Sequence, residues 1–290
     1  MPKFDVRNEY DPLAHVVMGL GRGYHRVPDR VEIANSTHQK TLEARGHPPE
    51  AQVTREFAGF KAAMEAHGVC VHEPELGPES VQDQTCPRDI GFVIGNSFVR
   101  AGMRHAGRVE EIEAIESILE PFDGPQVTVP QGLTLEGGDV VVHGAKVFVG
   151  SGQRSDPEGA AFLTAQFPDH QVLSVPTRSL AEGEEVLHLD CAFNPLGLGH
   201  ALIYPQGLAQ VPAAMEAFEW IEVTRKEAQA LATNVLSVAP DLIIARSDPS
   251  CARVNQALRA AAYRVEEVVF DGVPSTGGSF RCATLPLARV

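Results

Sequence analysis

Four short segments of this chain gather residue types that do chemistry. Cys86-Pro87-Arg88-Asp89 stands directly before an apolar run that begins at Ile90. Leu135-Glu136-Gly137-Gly138-Asp139 precedes a second run at Val140, and Leu187-His188-Leu189-Asp190 a third near Phe193. Gly277-Gly278-Ser279-Phe280-Arg281-Cys282 lies near the C-terminus. Brought together, they compose a nucleophilic centre. Cys282 would attack as its thiolate, and His188, with an intrinsic pKa near neutrality, would shuttle the proton. Glu136 would hold the imidazole, while Asp89 and Asp190 supply fixed negative charge. Read as an extended segment, residues 188–190 turn His188 and Asp190 to one face, because side chains alternate along a strand. A thiol ringed by carboxylates suits a planar cation, since a guanidinium meets paired carboxylates through parallel charge-assisted hydrogen bonds.

Taken singly, each residue has an ordinary structural role. A cysteine in a Gly-rich strand end is by default a small buried hydrophobe, and Asp89 and Asp139 both fit turns. Asp139 is read as such a turn residue. The conjunction of the four segments is what favours chemistry. Two other signals are set aside. Gly19-Leu20-Gly21-Arg22-Gly23 is followed by Pro28 and polar sequence rather than by the helix a dinucleotide loop requires. A metal set of Glu136, His188, Asp190 and Cys282 is conceivable by ligand type but has no compact ligand spacing, so no metal is expected.

The elements that must position these residues repeat. Ile90–Val99, Val140–Val149, Phe193–Tyr204 and Val235–Ala245 each read as strand–turn–strand, with β-branched residues flanking Gly95-Asn96, Gly144, Gly199 and Pro240-Asp241. Helical spacing follows. Arg108–Glu120 places Val109, Ile112, Ile115 and Leu119 on one face with acids opposite; Glu158–Phe167, Ala213–Trp220 and Ala252–Tyr263 follow the plan more loosely. Short strands return at Gln126–Val129, Gln171–Val175 and Arg264–Phe270. His15–Met18 and the helix Arg55–His67 open a further unit. The pattern predicts an α/β chain of about five β-β-α-β units in a ring, with a doubly wound sheet as the alternative; the latter expects single strands between helices rather than hairpins.

Composition bounds the rest. With 43% hydrophobic and 21% charged residues among 290, the chain can bury a sizeable core and does not read as disordered. The net charge of −14 disfavours nucleic acid and anionic membrane surfaces as partners and is compatible with a small cationic substrate. Residues 1–13 are polar, no run approaches ~18 apolar residues, and five scattered cysteines contain no C-x-x-C pair. A cytoplasmic, reduced setting is expected. Oligomeric state stays open, a homo-oligomer being one option.

From Cys86 to Leu287, these motifs resemble, in order, those of the guanidine-modifying superfamily, which includes arginine deiminase, dimethylarginine dimethylaminohydrolase and the amidinotransferases. The resemblance implies the pentein fold, a five-unit propeller with pseudo-fivefold symmetry, as one catalytic domain over residues 1–290. It implies that Cys282 forms a covalent amidino-thioether after His188 protonates the departing amine, with Glu136 as the acidic partner of the histidine. It further implies that Asp89 and Asp190 grip guanidinium nitrogens, that Arg154 holds a substrate carboxylate, and that no cofactor is needed. The length and the 150–156 region look like the small dimethylarginine hydrolases. Asp190, where those enzymes commonly carry lysine, looks like the arginine deiminases and amidinotransferases. Hydrolysis of an arginine-like guanidino compound is the expected reaction, with amidino transfer as its alternative and a non-catalytic binding protein on the same fold as the rival. The segment Tyr24–His47, rich in charge and histidine, reads either as a lid over the site or as a disordered surface loop.

Overall fold

A computed structural model describes residues 1–24, 36–81, 84–184 and 186–290. After β1 (Leu13–Met18) come α1 (Ser36–Arg45), α2 (Glu50–Glu65) and β2 (Cys70–His72). Then follow β3 (Gly91–Ile94), β4 (Ser97–Arg100), a 3-10 segment Ala106–Ile115 running into α3 (Glu116–Leu119), and β5 (Gln126–Thr128). The next unit is β6 (Val140–His143), β7 (Lys146–Ser151), α4 (Glu158–Gln166) and β8 (Gln171–Pro176). It is succeeded by β9 (Phe193–Pro195), β10 (His200–Ile203), a 3-10 turn Ala213–Ala217 and β11 (Glu219–Glu222). After the short α5 (Arg225–Gln229) come β12 (Leu236–Ala239), β13 (Leu242–Arg246), α6 (Ala252–Ala260), β14 (Arg264–Val268) and finally β15 (Thr284–Arg289).

These strands form five small sheets of three strands each, all on one plan. An antiparallel hairpin leads to a third strand that lies parallel to the hairpin's second, as in β3-β4-β5, β6-β7-β8, β9-β10-β11 and β12-β13-β14. A parallel neighbour needs a crossover, and the helical stretch in each unit provides it. The fifth sheet joins both ends of the chain: β15 pairs antiparallel with β1, which pairs parallel with β2. The hairpin turns form where Gly95 and Gly144, both at φ +57°, take the left-handed conformation a tight turn demands. Strands β3, β6, β13 and β15 are buried nearly throughout, so their apolar residues follow one another rather than alternate.

The N-terminal segment laces the units together. Asp5 bridges to Ala288, Val6 to the Gly95 turn and Asn8 to His143. It carries Glu9, a buried carboxylate that meets Arg281 at 2.9 Å and Arg88 at 3.5 Å and accepts the Val142 N–H.

Three expectations change. Trp220 lies in β11, not in a helix. Residues 106–115 wind as a 3-10 helix, which turns Val109 to solvent and buries Arg108 and Glu111 as an ion pair of 2.7 Å. Pairing Arg108 with both Glu111 and Asp89 overrides the apolar spacing. Of the Tyr24–His47 segment, residues 36–45 form α1, held by Thr41 Oγ1 donating to the Ser275 carbonyl at 2.6 Å; residues 25–35 lie outside the described residues.

Candidate active site

The segments singled out in the sequence all stand at the same place in their units, before the strand that pairs antiparallel with the middle strand of its sheet. Asp89 precedes β3, Glu136 precedes β6, His188 precedes β9 and Cys282 precedes β15. Each of these residues, with Asp190 and Arg154, is no more than 3% exposed. The remaining unit contributes Asn234 before β12, which the sequence reading missed. Its Oδ1 accepts the Cys282 N–H at 3.1 Å, and its carbonyl accepts the Arg281 N–H at 3.3 Å. A lone asparagine between apolar residues carries no sequence signal; only its place at the equivalent edge of a fourth hairpin could have marked it.

On one side lies the imidazole. His188 Nε2 meets Glu136 Oε2 at 2.8 Å. Glu136 is fixed in turn by Arg154, with contacts of 3.0 and 3.3 Å, and by the Arg104 N–H at 2.9 Å. Burial alone would drive the proton off His188, but the charge of Asp89, the bond to Glu136 and the charge of Asp139 overcome it and raise the imidazole pKa to about 10. Glu136 moves the opposite way: its bond to His188 and the Arg154 charge outweigh burial and lower it. The proton therefore resides on the histidine. Asp89 Oδ2 takes the Arg108 guanidinium at 2.5 Å, while Asp89 Oδ1 and His188 Nδ1 face each other at 3.7 Å without hydrogen-bond partners among the described residues. Buried polar atoms without partners are uncommon. A side chain at Gly138 would put its Cβ 2.7 Å from the imidazole and 2.9 Å from Asp89 Oδ1, so this approach requires glycine.

On the other side lies the thiol. Cys282 Sγ is 3.8 and 3.9 Å from the two oxygens of Asp190, and Cys191 Sγ is 3.6 Å from Asp190 Oδ1. Asp190 also takes Arg281 at 2.9 Å. The hydrogen bond with Cys282, followed by burial, raises the Cys191 thiol well above its ordinary value, so this second sulfur stays protonated. Phe280 anchors the segment, tilted against Phe60 of α2 at 4.6 Å and stacked on Phe270 at 4.7 Å. A Cβ at Gly278 would fall 2.6 Å from Cys86 Sγ and 3.4 Å from Cys282 Cβ, so glycine leaves room for both.

Leu189–Cys191 forms a 3-10 turn rather than an extended segment. His188 and Asp190 therefore serve different clusters, the first with Asp89 and Glu136 and the second with Cys191 and Cys282. The four-residue metal set weighed from sequence is thus divided between two groups. Asp139 accepts the Leu189 N–H at 2.8 Å and holds this turn, and burial lifts its pKa to about 6. Arg154, expected on a substrate carboxylate, is instead sealed against Glu136. Arg281, Arg108 and Cys191 are neighbours the sequence reading did not single out.

Solved structures share this fold over nearly the whole chain. The amidinotransferase of the saxitoxin pathway from Microseira wollei superposes with a TM-score of 0.84 at 19% identity, covering 99% of this chain and 97% of that one. The N-terminal domain of a cyanobacterial arginine dihydrolase superposes at 0.79 with 21% identity, over 95% and 98%. In sequence, the protein YkgA of Bacillus subtilis (strain 168) is 35% identical over 234 residues, 78% of this chain and 77% of its own length. The mitochondrial glycine amidinotransferase of Xenopus tropicalis is 27% identical over 134 residues, 40% of this chain and 32% of that protein. The chain belongs, within the guanidino-modifying superfamily, to the family described as "N,N dimethylarginine dimethylhydrolase, eukaryotic", whose model matches residues 28–289.

Proposed function

We propose that this chain is a hydrolase that cleaves a C–N bond of an arginine-like guanidino substrate through a covalent amidino-thioether on Cys282. It works as one cytoplasmic domain over residues 1–290, its five sheets closing into a pentein ring of pseudo-fivefold symmetry. The observation that carries the reading is the buried pair of clusters: an imidazole charged by Glu136, and a thiol whose neighbour is the carboxylate of Asp190.

The steps follow from that geometry. The substrate guanidinium enters as a cation; the unpartnered Asp89 Oδ1 and the Asp190 carboxylate accept its N–H groups, and its charge favours release of the Cys282 thiol proton to solvent, leaving the thiolate. Sulfur attacks the guanidinium carbon, His188 gives its proton to the departing amine, and the C–N bond breaks to leave the amidino-thioether. The neutral imidazole then takes a proton from water. The resulting hydroxide adds to the amidino carbon, and the thiolate leaves. Glu136 keeps the imidazolium in place at both stages.

The tail of the substrate has room. A cavity of about 420 Å³ opens on Cys191 and runs between Val186, Tyr204 and Leu231 to Lys40 of α1 and Arg225 of α5. That volume lies in the range of small-ligand pockets. An apolar wall leading to two cations suits an alkyl chain ending in a carboxylate, which replaces Arg154 as the carboxylate holder.

The test is a quenched reaction of the protein with arginine, methylated arginines, agmatine and guanidinoacetate, each with and without an amine acceptor. Products and intact protein are read by mass spectrometry. Amine release without acceptor, with an amidino adduct on wild type but not on Cys282→Ala, supports the hydrolase. The sequence match to glycine amidinotransferase motivates a second reading, amidino transfer, which requires product only when acceptor is present. No turnover and no adduct with any guanidine overturns both in favour of a binding protein.

A further inference from the structure

A second group of donor atoms stands outside this site, on the sheet that joins the chain ends. In the parallel pairing of β1 with β2, His15 lies opposite Cys70, and Cys70 and His72 are two residues apart on one strand, so that their side chains share a face. His15 Nδ1 is 3.2 Å from His72 Nε2, Cys70 Sγ is 3.7 Å from the same nitrogen, and the three donor atoms lie within 4.8 Å of one another. Phe122 stands edge-on to both rings, with centroids 5.4 and 5.9 Å away, and walls one side with an apolar surface. Cys70 is exposed, which leaves the opposite side open to water.

We propose that His15, Cys70 and His72 form a binding site for a divalent transition-metal ion of the zinc class. One thiolate with two imidazoles is a borderline-soft donor set that suits zinc, copper or nickel and disfavours magnesium and calcium. The spacing fits too. Tetrahedral zinc bonds of ~2.0–2.1 Å to nitrogen and ~2.3 Å to sulfur imply separations of about 3.3 Å between nitrogens and about 3.6 Å from sulfur to nitrogen. The observed 3.2 and 3.7 Å are already close to both. Three protein ligands leave the fourth position to solvent water.

The proton balance is simple. Binding releases the Cys70 thiol proton, and the imidazoles ligate as neutral rings, the proton of the His15–His72 hydrogen bond moving to the ring nitrogen that faces away from the ion. The ion would clip β1 to β2 within the sheet that ties the two ends of the chain together. None of the three ligands belongs to the Cys282 site, so the inference stands apart from the reaction proposed above. His15 lies 57 residues from His72 in sequence and is brought beside it only by strand pairing, which is why no compact spacing announced the set.

The experiment titrates metal-stripped full-length protein with Co²⁺, an optical stand-in for zinc, in wild type, Cys70→Ser, Cys282→Ser and His72→Gln. The expected result is stoichiometric uptake with a thiolate-to-cobalt charge-transfer band and the strong visible bands of tetrahedral cobalt, displaced by Zn²⁺. Cys282→Ser should leave that spectrum unchanged, and Cys70→Ser should abolish the sulfur band. His72→Gln should weaken binding by more than the ~10–100-fold typical of losing an outer-shell partner. A band that survives in Cys70→Ser, a band lost in Cys282→Ser, or no stoichiometric uptake by wild type would each overturn the assignment.

Discussion

The two halves of the candidate site, the imidazole and the thiol, are held in opposite ways. His188 is gripped: Glu136 bonds it at 2.8 Å, and Arg154 and the Arg104 N–H brace that carboxylate from behind. Cys282 is cradled by contacts of 3.8 and 3.9 Å to Asp190, with the Cys191 sulfur beside it. A charged oxygen–nitrogen pair in a dry setting is strong and directional, whereas a thiol is a weak donor. The difference matches what the proposed reaction asks of each group. A proton carrier must stay in one place and be recharged by one partner. A nucleophile must be free to leave its neighbours and bond to carbon. The gripped half is sealed by buried side chains, and the loose half borders the cavity through Cys191.

The comparison breaks most sharply at the sulfurs. Cys282→Ala is expected to lower kcat on the order of 10⁴-fold or more, the scale of losing a nucleophile. Cys191→Ala, which removes a thiol held protonated, should change kcat by less than about tenfold. Steady-state kinetics on the best guanidino substrate decides it. Equal losses in both variants would mean that the two thiols act as a unit and that the cradle is itself part of the chemistry.

Next in size is the grip on the imidazole. Glu136→Gln should reduce kcat by ~10²–10⁴-fold, the usual contribution of a placed acid–base group. The same variant carries a pH signature. His188 has a folded-state pKa of about 10, above its ordinary ~6.5. Its pairing therefore stabilises the fold fully below about pH 6.5, and that contribution fades as pH rises through about 10. Removing the Glu136 charge should lower the imidazole pKa and flatten this dependence. Imidazole NMR titration and denaturant unfolding at several pH values read the two effects; an unmoved imidazole pKa would assign the raised value to Asp89 and Asp139.

A third contrast sets the site against the charges beneath it. Glu9 is almost wholly buried between Arg281 and Arg88, and burial together with the Arg281 charge lowers Arg88 to about 9. This cluster has no atom facing the cavity, so its role is to pin the N-terminal segment under the thiol segment. Glu9→Ala should cost ~3–5 kcal/mol in denaturant unfolding, because it removes the carboxylate paired with the buried Arg88 and leaves Arg281 with Asp190. Such a loss, with little change in KM for the folded fraction, separates architecture from chemistry.

What the sequence made legible follows the same division. The hairpins were readable because Gly95-Asn96 and Gly144 punctuate apolar runs, and Cys282, His188 and Glu136 because they stand in recognisable segments beside those runs. What stayed hidden depends on pairing across space. Asn234 has no motif. Arg108 opens a stretch read only for its apolar face, and it turns inward to Asp89. The 188–191 segment winds into a 3-10 turn because Asp139, fifty residues away, holds the Leu189 N–H. Alternation along a strand could not have foretold that Asp190 would turn from the histidine to the thiol.

The smallest expected effect sharpens the comparison at the open end of the cavity. Lys40 is exposed on α1, has no ion-pair partner among the described residues, and lines the cavity opposite Arg225, whose Nε lies 3.5 Å from Glu184. Of the two cations, the lysine is therefore the one free to meet a substrate carboxylate. Ion pairs in water-exposed settings are worth ~0.2–1 kcal/mol, so Lys40→Ala should raise KM for arginine by about two- to fivefold with kcat unchanged, the pattern of lost uniform binding. Agmatine, which lacks the carboxylate, should show no increase, and its KM should fall if Lys40 repels its tail. Parallel KM measurements on the two substrates decide the matter. A rise of equal size for both would mean that α1 shapes the cavity without reading the charge of the tail.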